Sequence, residues 1–183
     1  MSGDGGVAAS AAIEPTSPAA EDRLTRPQAK VVTVSDGVVA GTREDRSGDA
    51  LADALVEAGF EVVGRSVIAD GVASVAGELV RVSVSFAGLV VTTGGTGFAP
   101  RDQTPEGTAE ILTRSAPGLA EAMRAASPLG RLSRGTAGIR GQAIILNTPG
   151  SPSGAVECLQ AVLDVLPHAL ALLADQQTAH PHG

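Results

Sequence analysis

Apolar residues in this chain come in short blocks separated by polar, glycine-rich stretches. Ala29-Lys30-Val31-Val32-Thr33-Val34 is a β-rich run that predicts a first strand, closed by Ser35-Asp36-Gly37. Residues 38–46 are polar and predict a loop. Ser47 or Asp49 then stands where a helix cap is needed, with Leu51, Leu55 and Val56 on the inner face and Gly59 at the end. Phe60-Glu61-Val62-Val63 opens a second strand that runs to Ile68, and Asp70-Gly71 is the turn at its carboxyl end. Residues 73–85 carry two periods. Val75, Leu79 and Val82 follow helical spacing, whereas Val82 and Val84 favour a strand. A helix lets the flanking strands lie parallel in one sheet, and that decides for the helix. Residues 87–92 are apolar almost throughout, as a central parallel strand is.

Further on, Thr104-Pro105 predicts a hydroxyl N-cap with proline at the first helical position, and the helix continues through Ile111 and Leu112. Gly107 stands where a capping box places Glu. Pro117-Gly118 is expected to break this helix, with a second short one carrying Leu119 and Met123. Residues 127–141 show little regular pattern. Ala143-Ile144-Ile145-Leu146 predicts another buried strand, and Pro149-Gly150-Ser151-Pro152 a rigid turn. The last helix places Val156, Leu159, Val162, Leu163, Leu166, Leu170 and Leu173 on one face, with a kink at Pro167.

Strands alternating with helices predict an α/β fold, a three-layer sandwich with a mostly parallel central sheet. Ligands in such sheets bind beyond the carboxyl ends of the strands. Four polar loops, 35–48, 69–72, 93–104 and 147–154, are expected to meet there.

Length and composition narrow the classes. The 183 residues suit one domain, expected over 29–175. Residues 1–28 are rich in Gly, Ala, Ser and Pro and predict a disordered tail; residues 176–183 predict a frayed one. No basic start leads into an apolar stretch, so no secretion signal is expected, and no window reaches the roughly 18 apolar residues of a membrane span. The net charge of −7 and the absence of Trp and Tyr argue against a nucleic-acid partner. The single cysteine, Cys158, cannot form an internal disulfide and is expected in packing. The cytoplasm is the expected compartment.

The candidate chemistry centres on Val90-Val91-Thr92-Thr93-Gly94-Gly95-Thr96-Gly97, followed by Arg101-Asp102 and Thr104-Pro105. A strand, a glycine turn, an arginine, a carboxylate and a helix start can surround a phosphate with N–H groups. The glycine run lacks the Lys-Ser/Thr ending of a P-loop and the G-x-G-x-x-G spacing, and alone is equally a plain turn. Its neighbours decide for a site. Asp102 lies just ahead of a helix N-terminus, which favours an ionised carboxylate and hence a Mg²⁺ ligand. Asp70 follows a separate strand and can reach the same cleft. Arg101 either contacts a phosphate or faces solvent. Ser133-Arg134 and Arg140 bring guanidinium forks suited to phosphate oxygens. Ser151 and Ser153 can offer hydroxyls and N–H groups to an anion. A covalent serine mechanism has no histidine to support it.

These motifs resemble the molybdopterin adenylyltransferase family, the Mog/MoaB-like proteins of molybdenum-cofactor biosynthesis, over about residues 30–173. The residues that carry the resemblance are 92–97 with Arg101-Asp102-x-Thr104-Pro105-Glu106, then Ser133-Arg134, then Asn147-Thr148-Pro149-Gly150-Ser151-Pro152. Ser35-Asp36 with Gly41, Asp45 and Ser47-Gly48 matches the family's first loop. Thr148, Ser153 and Gly107 stand where Leu, Lys and Ala are common. The resemblance implies a molybdopterin-binding-like fold and AMP transfer from ATP to molybdopterin with Mg²⁺. It implies Asp70 and Asp102 as catalytic and metal-holding aspartates. It assigns Ser35, Asp36, Gly94, Gly95, Thr96 and Gly97 to the nucleotide site. Ser133, Arg134, Pro149, Gly150 and Ser151 belong to the nucleotide and pterin-phosphate surroundings. A homotrimer and transient contact with a molybdenum-insertion enzyme are implied too. The alternatives are a non-catalytic pterin or nucleotide carrier and a nucleotide hydrolase.

Overall fold

The computed structural model describes residues 26–174. Residues 1–25 and 175–183, which include most of the expected tail 1–28 and all of the expected tail 176–183, lie outside the described residues. Strands β1 (Gln28–Val34), β2 (Glu61–Ile68), β3 (Gly88–Thr93), β4 (Arg114–Ser115), β5 (Ala137–Arg140) and β6 (Ala143–Thr148) form one sheet in the spatial order β2-β1-β3-β6-β5-β4. β2, β1, β3 and β6 are mutually parallel; β5 and β4 are added antiparallel. The helices are α1 (Asp36–Val39), α2 (Arg46–Glu57), α3 (Val72–Ser83), α4 (Thr104–Ile111), α5 (Pro117–Ala125), α6 (Pro152–Gln160) and α7 (Leu166–Ala174), with a 3₁₀ turn at Pro128–Leu132.

Two apolar cores make the three layers. On one face Val31, Leu89, Val91, Ile144 and Leu146 of the sheet meet Leu51 and Leu55 of α2, Met123 of α5, and Leu159 and Leu166 of α6 and α7. On the other, Val32, Val34, Val90 and Ile145 meet Val75, Leu79 and Val82 of α3 and Ile111 of α4. Central strands β3 and β6 are buried at every position because both faces are covered. Edge strand β2 alternates exposed and half-buried residues. Its register slips at one point: Ala29 pairs with Val62 but Lys30 with Gly64. The extra residue, Val63, is a bulge that switches the strand's inward side from the α2 core at Val62 to the α3 core at Ile68.

The expected α/β sandwich is therefore the fold, and the helix over 73–85 forms. Several local expectations are corrected. The loop 38–46 is shortened by α1, because the Ser35 hydroxyl accepts the Val38 N–H and caps a single turn. Neither Ser47 nor Asp49 caps α2. Asp45 does so, accepting the Gly48 N–H at 2.9 Å, and Ser47 and Asp49 lie inside the helix. Val56 of α2 is exposed, not inward. Thr104 is within α4 rather than its cap; its hydroxyl goes instead to the Gly94 carbonyl at 2.9 Å. Pro117 starts a helix rather than breaking one, since α4 has already ended at Ile111. The patternless stretch 127–141 contains β5, four residues too short and too glycine-rich to show a period. The last helix is two helices, separated by residues 161–165, with Pro167 in the first turn of the second.

Cys158 is buried between α6 and α5, its thiol donating to the Met123 carbonyl at 3.4 Å. Burial pushes the thiol's pKa up, as expected of an inert packing cysteine. Among the described residues no helix is long and apolar enough to cross a membrane.

Candidate functional site

The four parallel strands end along one rim, and the loops after them are tied to one another there. The glycine turn begins where β3 and β6 stop. The Gly94 N–H donates to the Thr148 carbonyl at 3.1 Å, and the Thr93 hydroxyl to the Pro149 carbonyl at 2.8 Å. Gly94 and Gly95 have φ of 99° and 62°, a region L side chains rarely adopt. A Cβ on Gly94 would strike the Val34 carbonyl, and one on Gly95 the Thr104 hydroxyl. Gly150 touches the same turn: a Cβ there would lie 3.3 Å from the Gly94 Cα. At Gly94 and Gly95 the motif is therefore a backbone crossing too tight for a side chain.

The two candidate aspartates flank this turn. A Cβ on Gly95 would sit 3.1 Å from Asp70 Oδ1, and one on Gly97 2.8 Å from Asp102 Oδ2. The two carboxylates thus come from different strands to the same four-residue turn. Among the described residues, the main-chain N–H groups of Gly95, Thr96 and Gly97 have no acceptor. Thr96 itself is buried. The Ser151 side chain makes no capping bond at the start of α6, leaving that helix end beside the turn. The result is a cluster of N–H donors with a carboxylate at each end.

Other predicted residues have their places. Asp36 and Asp70 bond reciprocally: the Asp36 N–H donates to Asp70 Oδ2 at 2.9 Å, and the Asp70 N–H to Asp36 Oδ1 at 3.1 Å. The guanidinium of Arg101 holds the Asp36 carboxylate at 2.6 and 3.1 Å, and this pairing lowers the Asp36 pKa. Arg101, expected either at a phosphate or in solvent, pairs with a protein carboxylate and carbonyl while its side chain stays 66% exposed. Ser35 caps α1, and its N–H donates to the Ile68 carbonyl at 2.9 Å. The Ser133 hydroxyl accepts the Gly135 N–H at 3.2 Å. Arg134 reaches the rim: its N–H donates to the Thr96 carbonyl at 2.8 Å and its Nε to the Gly97 carbonyl at 2.8 Å. Its Nη2 donates to the Asp102 carbonyl and its Nη1 pairs with Glu106, whose pKa is lowered as a result. Arg140 is not at the rim. It pairs with Ala143 at the far, amino end of β6 and donates to the Ile111 carbonyl at 3.0 Å.

Gln103 and Thr108 carry no signal in the sequence, and Glu106 only its place in the motif 101–106. Gln103 Oε1 accepts the Val72 N–H at 3.3 Å, fastening α3 to the loop before α4. Thr108 accepts from Asn147 Nδ2 at 3.0 Å. Glu106 stands inside the motif 101–106, but its partner lies 28 residues on, and no local pattern signals that pairing. Beside Asp102 opens a depression of about 400 Å³, lined by Phe98, Pro100, Gln103, Glu106 and Arg134.

Comparison with known proteins now bears on this rim. The family described as probable molybdopterin binding domain matches residues 30–168. The chain belongs to this family. It is 37% identical over 155 residues to the molybdopterin adenylyltransferase of Helicobacter pylori, an alignment covering 78% of this chain and 85% of that protein. Against the Escherichia coli molybdopterin adenylyltransferase the identity is 39% over 142 residues, 73% of this chain and 72% of the other. Among solved structures, the molybdopterin biosynthesis enzyme MoaB of Thermus thermophilus superposes with a TM-score of 0.76 at 43% identity, covering 82% of this chain and 98% of that one.

For a molybdopterin-binding family, Gly107 is informative. A Cβ at this position would lie 2.7 Å from the Val72 carbonyl and 2.7 Å from the Val75 Cβ. Helices α3 and α4 cross closely there, so the glycine where Ala is common has a packing reason.

Proposed function

We propose that this protein transfers AMP from ATP to molybdopterin and releases pyrophosphate. One observation carries the reading: the carboxylates of Asp70 and Asp102 flank one turn whose Gly95, Thr96 and Gly97 N–H groups have no acceptor among the described residues. The Helicobacter pylori and Escherichia coli relatives, both molybdopterin adenylyltransferases, support the same reaction.

In that reaction a terminal phosphate oxygen of molybdopterin attacks the α-phosphorus of ATP. A new P–O bond forms, the bond from the α-phosphorus to the bridging oxygen breaks, and the electron pair leaves with pyrophosphate. A phosphate monoester is largely dianionic near neutrality, so the nucleophile needs no strong general base. The site has to align the groups in line and offset developing charge. The N–H groups of Gly95, Thr96 and Gly97, with the start of α6, serve the phosphates. Ser35, Asp36, Gly94, Ser133, Pro149, Gly150 and Ser151 shape the nucleotide and pterin surroundings.

Mg²⁺ fits the donor set. Asp70 Oδ1 and the Asp102 carboxylate are hard oxygen donors, and Mg²⁺ in phosphate sites takes one or two carboxylates with phosphate oxygens and waters completing its shell. Among the described residues no group of three or more His, Cys, Asp or Glu forms an all-protein cage. Bound there, the ion would neutralise charge on the nucleotide phosphates. The same reading places the protein in the cytoplasm as a homotrimer, passing its product to a molybdenum-insertion enzyme.

Mass spectrometry of a reaction holding molybdopterin, ATP and Mg²⁺ tests it. Adenylylated pterin with pyrophosphate is expected, and Asp102→Ala should abolish it in a folded protein. Free AMP without modified pterin would mean hydrolysis; bound ligand without turnover would mean a carrier.

A further inference from the structure

Arg101 and Arg134 sit on different loops and make the same kind of contact. Arg101 Nη2 donates to the main-chain carbonyl of Asp70 at 3.1 Å while its fork is held by Asp36. Arg134 Nη2 donates to the main-chain carbonyl of Asp102 while its fork is held by Glu106. Each guanidinium therefore carries the backbone of one aspartate and is pinned by a carboxylate from another element. A rigid planar guanidinium grips the carboxylate through two bonds while a further N–H meets the carbonyl, a fixed geometry that a single rotatable ammonium does not reproduce.

We propose that Arg101 and Arg134 are positioning residues that fix the two aspartates, rather than anchors for substrate phosphate. The proposal rests on the reading of Asp70 and Asp102 given above. Both positive charges already face a carboxylate, and the Nε–Nη2 edge of Arg101 that would take a phosphate in a fork is held by Asp36. The N–H groups of the turn, without an acceptor among the described residues, offer an anion donors that are not engaged elsewhere. The Arg101 arrangement also leaves one oxygen free. Asp36, gripped by Arg101, gives its N–H to Asp70 Oδ2; Oδ1 has no partner among the described residues and is turned to Gly95. Arg101 thus sets the main chain of Asp70 directly and its carboxylate through Asp36.

The full chain carrying Arg101→Gln, Arg101→Lys or Arg134→Gln distinguishes the two roles. For a positioning residue, kcat for AMP transfer falls about tenfold to a hundredfold, as when a partner behind a working ligand is lost. KM for ATP then stays within about twofold. Arg101→Lys keeps the charge, loses the fork and recovers little. A rise of about tenfold in KM for ATP with kcat retained would overturn the proposal, and so would full rescue by lysine. A second readout needs no turnover. In nitrogen-15 amide spectra of the free protein, the Asp70 N–H, which donates to Asp36 Oδ1, and the Asp36 N–H, which donates to Asp70 Oδ2, shift and exchange faster in Arg101→Gln than in the parent. Unchanged amides overturn the clamp. If the parent makes no adenylylated pterin, the functional reading falls, and the spectra still decide the clamp.

Discussion

The two ends of strands β3 and β6 are equally buried and chemically opposite. At the amino end Leu89, Val90, Ile144 and Ile145 fill the cores with aliphatic groups alone. Toward the carboxyl end Thr92, Thr93, Asn147 and Thr148 are just as inaccessible, and each is hydrogen-bonded. Asn147 Nδ2 donates to the hydroxyls of Thr92 and Thr108, both at 3.0 Å, and Asn147 Oδ1 accepts the Thr136 N–H at 3.2 Å. The Thr148 hydroxyl donates to the Thr92 carbonyl at 2.8 Å. Aliphatic packing tolerates repacking if volume is kept, whereas directional bonds tolerate little displacement. The bonds are concentrated under the glycine turn, where a small shift would move the N–H groups of Gly95, Thr96 and Gly97. The amino end supplies stability, and the carboxyl end supplies position.

Substitutions at the two ends should separate those roles. Leu89→Ala at the amino end is expected to remove the most stability, about 2–5 kcal/mol, by leaving a cavity. Its kcat per folded molecule should stay within about twofold, because nothing in the turn depends on it for orientation. Urea unfolding and an active-site-normalised rate measure the two effects. A large kcat loss here would break the comparison. Asn147→Ala is expected to cost about 1–3 kcal/mol, since it orphans buried partners. It should also slow transfer by about tenfold to a hundredfold through displacement of the turn. A lowered Tm with normal kcat would show that the polar end is only another core. Gly107→Ala probes the same network from outside. It pushes α4 off α3 and shifts Thr108 from Asn147, for about 1–2 kcal/mol of overpacking.

Acid has the smallest effect. Arg101 lowers the Asp36 pKa and Arg134 lowers that of Glu106. For carboxylates depressed on folding, the stabilisation is fully present above the unfolded pKa and lost as pH falls through the folded one. The stability gap between the parent and Arg101→Gln should therefore be constant above about pH 5 and shrink below about pH 4. Urea midpoints across that range measure it; a gap that widens in acid would contradict the ion pair. Both pairs are exposed, so the contribution is small at any pH.

Long apolar runs were legible because their period depends on neighbours in sequence. The strands over 29–34, 60–68, 87–92 and 143–146 all appear within a residue or two, and helical spacing at Val75, Leu79 and Val82 is what buries them in α3. Short elements were not. α1 rests on one Ser35 bond, and β5 is a four-residue strand whose pairing to β6 makes it a strand at all. The cap of α2 falls two residues before Ser47 and four before Asp49, because Asp45, Ser47 and Asp49 are equivalent as sequence. Only the neighbouring Thr33, whose hydroxyl bonds Asp45 at 2.9 Å, distinguishes them.

The candidate site was legible as a set of motifs and illegible as a set of bonds. Glycine at 94, 95 and 97, with aspartates at 70 and 102, marked the rim, since tight turns and strand ends leave local traces. The sequence alone determined which loops carry the unusual residues and that they follow parallel strands. Tertiary structure decided what their charges do. Arg101, Arg134 and Arg140 are identical side chains, yet the first two grip aspartate main chains at the rim and the third lies at the opposite strand end. The partners of each lie 28 or more residues away along the chain. No local pattern encodes such pairings, because they exist only once the sheet has brought separate loops within hydrogen-bonding distance.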